Sequence, residues 1–230
     1  MPDRTAHIID EALVAELANR LRRRSDVSGR VIVGIAGIPA AGKSTLGRLL
    51  LEAINQDAPG AGAGAGAGVL VPMDGYHLTN RHLDGLGLRN RKGAPATFDA
   101  RGYCRLLEQA RDPAKVLRFP IYDRQLHEPV FDDRVDHTIT PAVRVVITEG
   151  NYLLLDQEPW PSLARVLDEC WYLDTPMQWA RQWMVDRHVR GGRGRDDAQA
   201  HYEISDALNA KLVLQHMRKP DLTLCWPEVD

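Results

Sequence analysis

Long hydrophobic runs are missing from this sequence. No stretch approaches the length of a membrane span, and the polar N-terminus has no apolar run of the signal-peptide kind. Cysteine is scarce. Cys104, Cys170 and Cys225 are odd in number and widely spaced, so no disulfide framework follows and a reducing cytoplasm is the expected compartment. Neither charge sign is in excess: 29 Lys+Arg stand against 31 Asp+Glu. That balance argues against nucleic acid and membrane surfaces as partners. The histidines are scattered without metal-ligand spacing, which argues against zinc. Trp160, Trp171, Trp179, Trp183 and Trp226 read as core and surface-flap packing rather than base-stacking platforms. No internal repeat is visible. The 230 residues suffice for one α/β domain with insertions that buries its own core.

What is present is the stretch Gly37-Ile38-Pro39-Ala40-Ala41-Gly42-Lys43-Ser44, followed by Thr45. It follows the apolar run Val31–Ala36 and precedes a helical pattern. Strand, glycine loop and helix together are the context of a P-loop. Gly37 and Gly42 are expected to let backbone N–H groups point into one concavity. The helix start adds unpaired N–H groups and its positive dipole end. Lys43 can reach β- and γ-phosphates, and the Ser44 hydroxyl can ligate Mg²⁺. A nucleoside triphosphate site follows.

The remaining chain alternates strands and helices. Residues 5–24 read as an amphipathic helix, with Ile9, Leu13, Leu17 and Leu21 on its stripe and Arg22-Arg23-Arg24 as a solvated end. It occupies an N-terminal segment of residues 1–29. The first strand spans about 30–36 and the P-loop helix about 43–56. The Ala/Gly run over 58–68 reads as a flexible linker. A second strand, Val69–Met73, ends at Asp74. Ligands of open α/β sheets bind at the carboxyl ends of strands, so Asp74 stands where a phosphate acceptor would lie. The bland alternative is an N-cap aspartate for a short helix over 75–82. Asp99 reads as the N-cap of a helix over about 100–110. A third strand, Arg144–Thr148, leads into Glu149, a carboxylate suited to Mg²⁺ or to ordering water. Fourth and fifth strands are expected at Cys170–Leu173 and Asp221–Trp226, separated by helices over about 177–190 and 196–218. Between those helices, Arg187, Arg190, Arg193 and Arg195 surround Gly191, Gly192 and Gly194. That segment, 187–197, reads as a mobile lid that could clamp a transferring phosphate.

Several of these segments together resemble the uridine kinase, phosphoribulokinase and bacterial pantothenate kinase superfamily. They are Gly34 through Thr45, Met73-Asp74-Gly75-Tyr76-His77, Arg91-Lys92-Gly93-Ala94-Pro95 with Thr97-Phe98-Asp99, Pro120-Ile121-Tyr122-Asp123 with His127, Thr148 through Leu154, and Arg187 to Arg193. The resemblance is strongest to the nucleoside/nucleotide-kinase-like branch that includes kinases near fructose transport genes. It implies a P-loop three-layer sandwich: a five-stranded parallel sheet of order 2-3-1-4-5 with helices on both faces. It implies ATP and Mg²⁺ as cofactors, with Gly37, Ala40, Ala41, Gly42, Lys43, Ser44, Thr45 and Arg193 holding the nucleotide. Asp74 is implied as the base for the acceptor hydroxyl, Glu149 and Ser44 as the metal shell, and Lys43, Arg187 and Arg190 as catalytic cations. Segments 76–99 and 119–127, within insertions spanning 76–141, are implied to line the acceptor pocket.

The acceptor is expected to be a sugar or a related small polar metabolite. Arg91 and Lys92 would supply charge, with Arg89 beside them. Tyr76, His77, Asp99, Tyr122, Asp123, His127 and Asn151 would meet hydroxyl groups. Only Phe98, Tyr122 and Tyr76 could sandwich a base, which counts against a nucleotide acceptor. Uridine, cytidine and pantothenate remain alternative acceptors. A switch GTPase needs Asn-Lys-x-Asp, and Arg218-Lys219-Pro220-Asp221 lacks the Asn and precedes a strand. A transporter motor needs Leu-Ser-Gly-Gly-Gln, which does not occur. A degenerate ATP-binding protein is opposed by the joint presence of Lys43, Ser44, Asp74 and Glu149. Partners read as a small-molecule substrate, with no nucleic acid, no membrane, and a homodimer left open.

Overall fold

The computed structural model describes residues 6–56 and 67–227. In chain order they form β1 (His7–Ile8), α1 (Glu11–Ser28), β2 (Val31–Ala36), α2 (Lys43–Gln56), β3 (Gly68–Pro72), α3 (Asn80–Leu86) and α4 (Ala100–Ala110). Then come β4 (Leu117–Arg118), β5 (Ile121–Asp123), β6 (Glu128–Val130), β7 (Thr138–Ile139), β8 (Val145–Gly150) and β9 (Glu169–Leu173). The last elements are α5 (Met177–Arg190), α6 (Arg195–His201), a π-helical turn (Tyr202–Asp206), α7 (Ala207–His216) and β10 (Leu222–Cys225).

The central sheet is parallel throughout and runs β3-β8-β2-β9-β10-β1. Five of its strands are the expected ones in the expected order. The sixth, β1, corrects the reading of residues 5–24 as one helix. His7 and Ile8 pair with Leu224 and Cys225 at the sheet edge. The helix starts only at Glu11, because the Asp10 carboxylate caps it by accepting from the Leu13 N–H. An edge strand has unpaired N–H and C=O groups, and a two-residue strand satisfies them more directly than a covering helix. The helix also runs on to Ser28. Of the expected solvated end Arg22-Arg23-Arg24, Arg24 instead pairs with Asp168 and Glu169 at the start of β9, where Arg20 joins it on Glu169.

Side chains alternate faces along a strand, and that alternation builds the layers. Val33 and Ile35 share a face with Ile147, Glu149 and Leu70 by register. Against this face packs α2, whose Gly47 lies beside Leu70 and Ile35, and α1 packs on α2. Gly34 and Thr148 point the other way. There Gly34 meets Leu153, Leu167 and Cys170, and the Thr148 hydroxyl contacts Tyr103 Oη of α4 at 2.5 Å. Helical layers thus cover both faces. At the far end of the sheet, buried Arg30 donates to the carbonyls of Val143, Ala110, Asp112, Pro113 and Thr140.

Three further boundaries differ from expectation. Residues 75–82 are not a helix: Met73–Tyr76 form a 3₁₀ turn, and α3 starts later under a Thr79 cap. The helix expected over 196–218 is broken into α6 and α7 by the π-turn. The Ala/Gly run at 58–68 falls largely outside the described residues, and its last glycine, Gly68, already belongs to β3. Among the described residues, no helix is long and apolar enough to cross a membrane.

Candidate active site

Between β2 and α2 the glycine loop turns back on itself. Gly42 takes a φ of 93°, a left-handed value that costs glycine little. Ala40, not Gly37, supplies the second left-handed residue, with φ 60°. Gly37 is needed for closeness instead: a Cβ there would stand 3.0 Å from the Leu173 carbonyl. Trp226 lies across the loop, its Nε1 donating to Ala41 O at 2.9 Å, while Thr175 Oγ1 donates to the same carbonyl at 3.0 Å. The N–H groups of Gly42, Lys43 and Ser44 find no acceptor among the described residues. They are the free donors a phosphate would use at a helix start. The Thr45 N–H is turned inward, onto Gly42 O.

Lys43 is buried, and its Nζ donates to Ile38 O at 2.8 Å and Asn151 Oδ1 at 2.7 Å. Burial lowers its pKa to about 8, although Glu149 and Asp74 oppose the shift. Asn151 was expected on the acceptor wall; it stands on the lysine because the chain leaves β8 directly beneath the loop. Glu149 faces α2, as strand alternation requires, and accepts from Ser44 Oγ at 2.9 Å. Burial raises the Glu149 pKa first and Asp74 adds to it, while Lys43 and Ser44 pull it down. A carboxylate with a hydroxyl beside it offers the oxygen ligands a hard divalent cation takes. Ser44 and Glu149 are the residues that would hold Mg²⁺ here.

Asp74 follows β3, and Pro72 of β3 is in register with Glu149 of β8. Asp74 lies inside the Met73–Tyr76 turn, whose cap position is Pro72, and among the described residues its carboxylate accepts no backbone N–H. It keeps 36% of its side-chain surface exposed, and among the described residues only His77 Nδ1 lies within ion-pair range, at 4.0 Å. Arg187 feels Asp74, Asp206 and Glu149 as attractive neighbours, while desolvation and then Arg124 lower its pKa. Arg124 was missed from the sequence. It lies inside the segment Tyr122 to His127, but nothing marks it locally. Arg190 and Arg193 are exposed, and their side chains make no hydrogen bond or ion pair among the described residues. Arg195 leaves the lid group: it pairs with Asp186.

The expected acceptor wall is only partly available. His77 stacks between Phe98 and Tyr122, with ring centroids 4.0 and 4.7 Å away. Phe98 is buried behind it and presents no open face. The Asp99 carboxylate accepts from the Gly102 N–H and caps α4. Asp123 accepts from the N–H groups of Gln125 and Leu126 in the hairpin turn. Lys92 ties Asn80 Oδ1 to His127 O and lies over the Tyr122 ring. Arg91 donates to Ile204 O and Arg89 pairs with Asp84. Tyr76 packs edge-on against Tyr103. His127 is exposed at the hairpin tip with φ 52°. The groups left to face a ligand beside Asp74 are the His77 ring, Tyr122, Arg124 and Arg187. Burial, with Asp74 next, pushes the Tyr122 hydroxyl up to about 12, so it stays a proton donor.

No family model matches the chain. Individual relatives do. The uncharacterised YggC of Escherichia coli strain K12 is 38% identical over 194 residues, 84% of this chain and 76% of its own length. A Schizosaccharomyces pombe protein whose name proposes a uridine kinase is 33% identical over 218 residues, 91% of this chain and 88% of its own. A crystal structure from Silicibacter sp. TM1040, described as a proposed fructose transport system kinase, superposes with a TM-score of 0.79 at 34% identity. That match covers 93% of this chain and 98% of the other. Relatives of this identity and coverage, around a P-loop that leads into a parallel sheet of the expected order, settle the family: the chain belongs to the P-loop kinases related to uridine kinase and pantothenate kinase.

Proposed function

We propose that the protein transfers the γ-phosphoryl group of ATP to a hydroxyl of a small polar metabolite, a sugar or a close relative. The observation that carries this is Asp74: a carboxylate without a capping role, in the same electrostatic field as Lys43, Glu149 and Arg187. In the transfer, the acceptor oxygen forms a bond to the γ-phosphorus. The bond from that phosphorus to the β,γ-bridging oxygen breaks, and the hydroxyl proton passes to the Asp74 carboxylate. Lys43 and Arg187 offset the charge on the equatorial oxygens. Mg²⁺, held by Ser44 and Glu149, would add charge neutralisation at the phosphates. Arg190 and Arg193, unpaired on the 187–197 segment, are free to join a closed lid.

The sugar reading is supported by what remains open on the acceptor side. His77, Tyr122, Arg124 and Arg187 offer hydrogen bonds and charge, while buried Phe98 removes one wall of a base slot. A relative proposed as a fructose transport kinase points the same way, and the one named for uridine points to a nucleoside. A panel of sugars, glycerate, pantothenate, uridine and cytidine, assayed for acceptor-dependent ADP release, decides between them. Steep discrimination among sugars differing at one hydroxyl is expected, since a mismatched acceptor leaves polar groups unpaired. Uridine or cytidine turning over far faster than every sugar overturns the sugar reading.

A further inference from the structure

His188, His201 and Asp206 show no metal spacing along the chain, yet they converge in space. His188 lies in the last turn of α5, His201 ends α6, and Asp206 closes the π-helical turn. All three are partly buried, and one ligand atom from each lies within 4.8 Å of the others. His188 Nε2 already meets Asp206 Oδ2 at 3.1 Å, and the two imidazole centroids are 4.9 Å apart.

The π-turn is what aligns the set. In an α-helix, residues five apart are rotated about 140° from one another. In a π-helix the backbone bond itself runs between residues five apart, and here Ala207 N–H donates to Tyr202 O. His201 and Asp206 are five apart, so the wider turn brings them toward one face. Such turns occur often at functional sites.

We propose that His188, His201 and Asp206 bind a divalent transition metal, zinc first, that fastens the end of α5 to the α6 and π-turn segment. Two imidazoles and a carboxylate suit zinc better than Mg²⁺ or Ca²⁺, which take oxygen ligands. Zinc bonds are about 2.0–2.2 Å long, so small side-chain rotations close the set around an ion. The fourth tetrahedral position stays open to water. The positive charges of Arg193, beside His201, and Arg187, beside Asp206, oppose the ion, and the Asp206 carboxylate answers them. The site is distinct from the Ser44 and Glu149 oxygens, and its occupancy does not depend on any phosphate acceptor.

Equilibrium dialysis of the full chain against zinc chloride, with excess magnesium present, tests the assignment. One zinc per chain is expected. Outer-shell partners alone are worth about 10–100-fold in metal affinity, so His201→Gln and Asp206→Asn should each lose at least about tenfold. His82→Ala, an exposed histidine elsewhere, should lose nothing. Cobalt substitution should give tetrahedral absorption bands that vanish in His201→Gln. Binding weaker than about 1 mM, or affinity unchanged in both His201→Gln and Asp206→Asn while each variant melts like the parent, overturns the site; a Kd of 1 mM corresponds to only about −4 kcal/mol.

Discussion

Two side chains, Asp74 and Lys43, set the chemistry available at the loop, and each answers to a different neighbour. Asp74 stands free of caps, so its replacement by Asn should leave the fold alone. Asp74→Asn is expected to keep ATP·Mg²⁺ binding and to lose about 10²–10⁴ in turnover, the range for removing a general base. Calorimetric titration with ATP and a separate rate measurement distinguish the roles. Lost ATP affinity with normal turnover per complex would assign Asp74 to structure. Lys43 makes a pH prediction. Its buried ammonium titrates near 8 in the free protein, and only the charged form helps the phosphoryl group. kcat/KM for ATP, which reports the free enzyme, should therefore fall as pH rises through about 8. Bound phosphates favour the charged form, so the matching limb in kcat should lie at higher pH. A kcat/KM profile flat to pH 9.5 would separate Lys43 from the rate.

Elements meet at glycines where the pocket is assembled. The 73–76 turn lies directly under the strand entering the β5–β6 hairpin. A Cβ on Gly75 would stand 1.9 Å from the Pro120 carbonyl, so backbone must move to admit one. Gly75→Ala should thus lower stability by about 1–3 kcal/mol, the usual cost of overpacking. It should also raise the acceptor KM more than the ATP KM, because the hairpin carries Tyr122 and Arg124 while the P-loop is untouched. Thermal denaturation and two separate KM titrations check this. Equal changes in both constants, with no loss of stability, would show that the hairpin docks independently of the turn.

On the scale of the whole molecule, the last turn of α5 brings Arg187 into the field of Asp74 and Glu149 at the carboxyl ends of β3 and β8, and the arginine-rich segment follows directly. Gly192 has a φ of 94°, and residues 190–197 are exposed. With few buried contacts, such a segment belongs to the low-stability end of the fold. Hydrogen exchange over 187–197 should slow when a non-hydrolysable ATP analogue binds, as the arginines close over phosphate. Equal exchange with and without the analogue would count against a closing lid.

Strand ends and the P-loop were legible in the sequence because they rest on local rules. An apolar run ending in Asp74 or Glu149, and a glycine loop opening a helix, keep their meaning wherever the chain goes. The strand order came from the family resemblance, and the six-stranded sheet contains it. What the tertiary structure decided is which partner each polar side chain meets. Lys92 became a tie between insertions, Asn151 turned to Lys43, and Phe98 went into the core. None of these assignments is local. A carboxylate or ammonium takes whichever donor or acceptor packing brings within about 3 Å, and packing joins segments far apart in the chain. The same cause hid His188, His201 and Asp206: their spacing means nothing in an α-helix, and the π-turn together with the packing of α5 places them side by side.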